Sequence, residues 1–239
     1  IIGGDYSWNG SNDYMYDASF TNSFTTAYSV SMWIKRSSIN SLRQLWSFSP
    51  GQLAISFIVF ADNTFQFNTE FSGQVNRRIT TDTITDTTTW HHIVVTRDGT
   101  ASAIYIDGTE ASYSTEINGN TNGTAVGFYL GRNYVANRYF PGEIDEVGIW
   151  GRGLSAAEVT ELYNSGSGLA YPFSSGEPLD ANLISYYKFD GDANDSVGSN
   201  NGTTNGAIYT ASGKINGAYT YDGNNDYVSI PNDNSLNSS

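Results

Sequence analysis

The run Glu143-Ile144-Asp145-Glu146-Val147-Gly148-Ile149-Trp150 holds the residues whose types and spacing come nearest to chemistry. In an extended strand, side chains alternate between faces. Glu143 and Asp145 then share a face with Val147 and Ile149, so Asp145 heads a row that otherwise has the composition of a core. A carboxylate in such a place must be paired, hydrogen-bonded or metal-bound. Cleavage of a glycosidic bond with retention needs two carboxyls about 5 Å apart. No second Glu/Asp pair in a strand offers that arrangement, and Glu146 points to the opposite face. His91 and His92 are adjacent and so face opposite sides of a strand, which keeps both from ligating one ion through that strand. They are the chain's two histidines, and no Ser/His/Asp constellation can be built from them. A loop with a different capacity is Arg132-Asn133-Tyr134-Val135-Ala136-Asn137-Arg138-Tyr139, which gathers aromatic, amide and guanidinium groups within one turn. Those groups hold polyhydroxylated ligands by stacking and hydrogen bonds. Asn133, Tyr134 and Arg138 are its candidate ligand-binding residues, while Tyr139 and Phe140 have the pattern of core.

The elements that position these residues are strands. Trp90-His91-His92-Ile93-Val94-Val95-Thr96-Arg97-Asp98-Gly99 and Ala101 to Ile106, followed by Asp107-Gly108, form two β-branched runs punctuated by Asp-Gly, the strongest short-range hairpin signal. Further strands are expected at 27–35, 42–48, 53–60, 64–70, 126–132 and 143–150. In the first of these, Tyr28, Val30, Met32 and Ile34 share one face. A single short helix is expected after Leu154: Ser155 caps it, Glu158 completes a capping box, and Leu154 opposes Val159 as a hydrophobic staple.

Three segments carry a family likeness. WHHIVVTRDG…AIYIDG (90–108), YFPGEIDEVGIW (139–150) and RGLSAAEVTELYNSG (152–166) resemble the laminin G-like jelly roll of the concanavalin A-like lectin and glucanase superfamily. The resemblance implies an all-β jelly-roll sandwich of two antiparallel sheets with one short helix. Glucanases of this fold place three alternating carboxylates on one strand; here Val147 stands where the third is due, so the resemblance implies no enzyme and no catalytic residue. It also implies a structural calcium ion between Asp145 and an early loop, for which Asn9-Gly10-Ser11-Asn12-Asp13 supplies oxygen donors suited to a hard cation. Gly10, Asn12, Asp13 and Asp145 are the candidate metal ligands. Asp145 has an alternative without metal, as acceptor of backbone N–H bonds from that loop.

Composition bounds the remainder. A formal net charge of −13, with 11 scattered basic residues, argues against nucleic-acid and anionic-membrane partners. The absence of cysteine excludes disulfides and thiolate metal sites, and no apolar run approaches the length of a membrane span. Gly4 to Tyr14 recurs 213 residues later as Gly217 to Tyr227, with six of eleven positions identical. A period of that size equals a whole domain and is expected of tandem copies. The domain reading is therefore a sandwich over 1–172, a linker at 173–182, and the opening strands of a second copy over 183–239, or else strands in 183–239 that complete the first sandwich. The function expected is non-catalytic recognition of a glycan or surface polysaccharide by an adhesive module, extracellular or on a cell or virion surface. The alternative is a structural module that binds neighbouring protein subunits, such as a phage fibre or capsid decoration protein; a glycoside hydrolase ranks below both.

Overall fold

A computed structural model describes residues 27–50, 54–121, 125–133, 138–173 and 178–230 of the chain. The strands are β1 (Ala27–Arg36), β2 (Arg43–Pro50), β3 (Ala54–Val59), β4 (Thr64–Phe71), β5 (Gln74–Thr83), β6 (His91–Asp98), β7 (Ala101–Ile106), β8 (Thr109–Glu110), β9 (Tyr113–Asn118), β10 (Ala125–Leu130), β11 (Pro141–Trp150), β12 (Leu183–Tyr187), β13 (Thr203–Asn205), β14 (Ile208–Thr210), β15 (Ala218–Asp222) and β16 (Tyr227–Ile230), with the α-helix α1 at Ala156–Tyr163. They form two antiparallel sheets. The first runs β14-β15-β11-β1-β6-β7-β8, with β12 also on β11; the second runs β13-β16-β10-β2-β3-β4-β5-β9. This is the jelly-roll sandwich expected of the sequence.

Local chemistry sets the turns. Asp107 and Gly108 both take positive φ (51° and 78°) between Ile106 and its partner Thr109, the geometry of a two-residue type I′ hairpin. Ser155 and Glu158 form the reciprocal capping box of α1. Between the sheets, Tyr28, Val30, Met32 and Ile34 meet Trp46, Phe48, Phe57, Phe67 and Phe128. Trp46 is the hub, its ring centroid about 6 Å from those of Phe48, Phe57, Phe67 and Phe128. A smaller cluster on the outer side of the first sheet packs Val159 and Leu162 of α1 on Val94, Tyr105 and Trp150. Two strands outside the expected set, β5 and β9, have a physical reason to be hard to see: the inward positions of β5 are Asn76, Arg78 and Thr80, not apolar residues. Their polar groups find partners across the sandwich edge, Asn76 in Ser102 Oγ and Thr100 O, Arg78 Nη2 in Asn118 Oδ1.

The stretch 183–230 lies in the same two sheets as 27–150. β12 and β15 lie end to end on one edge of β11, β12 against Val147 to Trp150 and β15 against Pro141 to Ile144. β16 pairs with β10. Of the expected linker, Phe173 and Leu179 are buried in the smaller cluster, and Leu179 O accepts the indole N–H of Trp150 at 2.7 Å. The expected alternation along β11 is broken by a bulge. Ser31 faces Gly148 but Trp33 faces Asp145, so β11 carries one extra residue there, and Glu146 takes φ 49°. Ile144, Val147 and Ile149 consequently line the core, and Asp145 does not head their row.

Candidate functional site

Asp145, fully buried, sits in the gap that β12 and β15 leave on the edge of β11. Its carboxylate takes the place of the missing ladder: Oδ2 accepts the N–H groups of Lys214 and Ile215 at 2.8 and 2.9 Å, and Oδ1 accepts that of Glu146 at 2.8 Å. Burial raises its pKa to about 7 against those hydrogen bonds, and burial raises Glu146 to about 8. The loop that holds Asp145 is therefore 214–215; Gly10, Asn12 and Asp13 lie outside the described residues. No group of three or more His, Cys, Asp and Glu among the described residues is arranged to hold a metal ion. Three N–H donors already point at Asp145. Glu143 is engaged elsewhere, 2.8 Å from Lys35 Nζ.

The two histidines have separate structural partners. His91 bridges Asp107 and Asp86, each at 2.8 Å. His92 is buried on the other face, with Nε2 2.8 Å from Ser31 Oγ and its ring against Trp33 and Tyr163.

The arrangement with ligand-binding character is on the outer face of the second sheet, where β10 ends. Gly131 turns the chain with φ 82°, and a Cβ there would stand 2.8 Å from the ring of Tyr221, so the position requires glycine. The turn is fastened by Gly131 N–H to Leu45 O at 2.7 Å and Phe140 N–H to Gly131 O at 2.8 Å. Ser47 Oγ donates to Arg132 O at 3.1 Å. The guanidinium of Arg132 is thereby set among three tyrosines: Cζ lies 4.4 Å from the ring centroid of Tyr227, 5.1 Å from Tyr129 and 5.9 Å from Tyr139. The rings of Tyr129 and Tyr227 are 6.3 Å apart and tilted by 58°. Cation–π attraction orders such a group, and Arg132 Nε also donates to Asn133 O at 3.0 Å.

From this cluster a polar row crosses the sheet. Ser229, Tyr129, Ser47, Ser56, Asn68 and Arg77 are successive cross-strand partners on β16, β10, β2, β3, β4 and β5. At the usual strand spacing the row is about 24 Å long. Arg77 Nε donates to Asn68 Oδ1 at 2.8 Å, which fixes the amide at the far end. Ser47 is fully buried; the other residues of the row present phenol, hydroxyl, amide and guanidinium groups and no carboxylate.

The sequence-nominated residues take different places around it. Asn133 is buried and donates from Nδ2 to Gln44 Oε1 at 3.2 Å, and Gln44 Nε2 in turn donates to Trp46 O and Phe57 O. Asn133 is thus a support beneath the loop that carries Arg132. Arg138 is exposed beside the cluster, and Tyr134 lies outside the described residues. Tyr129, Tyr227, Arg132, Asn68 and Arg77 were not nominated. Tyr129 carried a signal, as the aromatic between inward Phe128 and Leu130; Tyr227 carried none near Arg132 in sequence.

A second concavity, of about 550 Å³, lies at the sandwich edge between Arg78, Arg97, Ser102, Glu110, Glu116 and Glu158. Its charged groups serve the fold: Arg97 donates to Gly99 O and Thr121 O, and Glu158 is held by Arg152. The Arg152 guanidinium and the cap bonds keep the Glu158 carboxyl down at about 2.

Comparison with known proteins follows the fold. The Laminin_G_3 model, described as concanavalin A-like lectin/glucanases superfamily, matches residues 9–160. A provisionally assigned carbohydrate binding protein from Bacteroides ovatus ATCC 8483 superposes with a TM-score of 0.53 at 18% identity over 88% of this chain; the chain spans 56% of that protein's length. Domain 4 of AbnA, a GH43 extracellular arabinanase from Geobacillus stearothermophilus solved with arabinotriose, gives 0.48 at 25% identity over 57% of this chain and 66% of that one. The native heptameric SAP-like pentraxin from Limulus polyphemus gives 0.44 at 14% identity, covering 60% and 71%. No curated protein matches the chain.

Proposed function

The chain belongs to the laminin G-like family of the concanavalin A-like lectins and glucanases, and from that premise we propose that it is a non-catalytic carbohydrate-binding module acting at an extracellular, cell or virion surface. The observation that carries the reading is the Arg132 cluster and the polar row that leaves it. A pyranose or furanose ring offers C–H faces to aromatic side chains and a rim of hydroxyls to directional donors and acceptors. Tyr129, Tyr139 and Tyr227 supply the first, and Arg132, Ser56, Asn68 and Arg77 the second. All stand on strands or on a turn fastened to them, so little ordering cost accompanies binding. A row without carboxylates lacks the pair of Asp/Glu groups that glycoside hydrolysis ordinarily uses.

The test is a glycan and polysaccharide array followed by titration calorimetry. Tyr227→Ala and Arg132→Ala each weaken binding by about tenfold, the scale of one aromatic or cation–π contact. An array without binders, or variants that bind like the parent, removes the proposal. Calcium between Asp145 and the Gly10–Asp13 loop stays a proposal carried by the sequence alone. Coincident melting curves in excess calcium and in chelator would remove it.

A further inference from the structure

A sheet ends in strands whose outer N–H and C=O groups lack a ladder partner, and folded chains blunt such edges with charged side chains or cover them. Among the described residues the four sheet ends are β8, β9, β13 and β14. β8 carries Glu110 and has α1 beside it, where Thr160 Oγ1 donates to Gly108 O at 3.3 Å. β9 carries the exposed Glu116, 3.8 Å from Arg78. β13 has no charge, but its Thr203, Thr204 and Asn205 offer no apolar surface for a partner to bury. β14 differs from all three. Its Ile208 and Tyr209 are 71% and 45% exposed, and residues 196–213 contain no charged side chain. Val197, 37% exposed, lies on the same rim of the first sheet: Ser196 N–H donates to Tyr186 O of β12 at 2.8 Å, and β12 lies end to end with β15, the strand that β14 joins. One other large apolar side chain among the described residues is exposed to this degree, Ile117 on β9, and it follows Glu116 directly.

The rim is held in place before any partner arrives. The Tyr209 ring meets that of Tyr219 edge-on at 6.5 Å, and it lies so close over Gly217 that a Cβ there would stand 2.4 Å from Tyr209 Cε2. Ile208, opposite Thr220, faces the other side of the sheet. Charge and symmetry then select the occupant. At a formal net charge of −13, two copies of this chain repel over the charged parts of their surfaces, and an uncharged rim is where they can approach without that cost. A basic partner would instead be drawn to the carboxylates elsewhere. An antiparallel edge is also complementary to itself, which gives the closed two-fold contact that most soluble oligomers use.

We propose that β14 is a dimer interface, pairing antiparallel with β14 of a second copy of this chain so that two first sheets join into one continuous sheet. The two-fold axis stands perpendicular to that sheet and passes beside Ile208, which lies opposite Ile208 of the partner subunit; a register centred on Tyr209 also keeps like faces together. Such an axis leaves both second sheets on one side of the joined sheet, so the two Arg132 clusters serve the same side. A polysaccharide with repeating units could then be held at two sites at once, gaining from effective concentration; this consequence rests on the carbohydrate reading, and the dimer does not.

The test is the mass and crosslinking of the full chain. Light scattering after size-exclusion chromatography is expected to give twice the 26.0 kDa of one chain. Ile208→Lys brings two like charges together across the axis and returns the mass to one chain. Urea unfolding of that variant at low concentration matches the parent, because so exposed a side chain adds little to the subunit's own core. The chain has no cysteine, so Ile208→Cys, or Tyr209→Cys in the second register, supplies a single thiol that closes with its own copy on oxidation. Ile117→Cys, as exposed but on β9, stays uncrosslinked under the same conditions. A wild-type mass of one chain at concentrations up to about 1 mM overturns the proposal. So does a dimer that survives Ile208→Lys and crosslinks at neither position, since it uses another face. No sugar enters these measurements: a glycan array without binders leaves the dimer standing, and a monomer that binds glycans leaves the carbohydrate reading standing.

Discussion

His92 gives the sharpest test of how burial controls this protein's response to acid. Its ring is almost fully enclosed, between Trp33 at 5.0 Å and Tyr163 at 6.2 Å, and its Nε2 meets Ser31 Oγ. Burial lowers its pKa from 6.5 to about 3; Lys214 adds to the shift and Asp107 opposes it. A depressed basic group is protonated first in the unfolded chain, so its stabilising contribution is complete above pH 6.5 and is lost as pH falls toward 3. Between those limits the slope is about 1.4 kcal/mol per pH unit. From pH 7 to pH 4.5 the loss reaches at most about 2.5 kcal/mol. The perturbation is His92→Gln, which keeps polar length without a titrating ring. The assay is urea unfolding followed by tryptophan fluorescence at pH 4.5, 5.5, 6.5 and 7. His91, Asp145 and Glu146 have raised pKa values, lose stability as pH rises, and so mask the wild-type curve. They cancel in the difference between the two proteins. The gap between wild type and His92→Gln is expected to shift by about 2.5 kcal/mol in favour of the variant on going from pH 7 to 4.5. Parallel stability curves across that range would show that His92 is not held neutral by burial.

Three further outcomes follow from packing and hydrogen bonding. Gly131→Ala, forced into positive φ against the Tyr221 ring, should cost about 2–4 kcal/mol in urea unfolding; a loss under 0.5 kcal/mol would mean the turn relaxes freely. Asp145→Ala leaves the Lys214, Ile215 and Glu146 N–H groups without their acceptor and should cost about 2–4 kcal/mol. Amide exchange at 214 and 215 should quicken in that variant before the rest of β11, and unchanged exchange there would contradict the gap-filling role. Trp46→Ala should cost about 3–5 kcal/mol, since four aromatic rings lose their common neighbour, and a smaller loss would place the hub elsewhere.

What the amino-acid order determined alone was whatever a few neighbouring residues settle among themselves. Asp107-Gly108 can turn two strands because both residues tolerate positive φ, and Ser155 with Glu158 can start a helix because the two partners stand three positions apart. The strands with apolar alternation, β1, β6 and β7, were legible for the same reason, as was a sandwich to bury them. β5 was hidden because its inward positions are polar, and partners on β7 and β9 satisfy two of them. The face of Asp145 was misread because one bulged residue inverts the alternation, and the bulge exists where two strands share the edge of β11. The Arg132 cluster is the extreme case. Tyr129, Tyr139 and Tyr227 come from β10, its following loop and β16, and only the pairing of β16 with β10 brings the last of them within 4.4 Å of the guanidinium. Pairing between strands almost a hundred residues apart depends on the sum of many weak core contacts, and no short segment carries that sum.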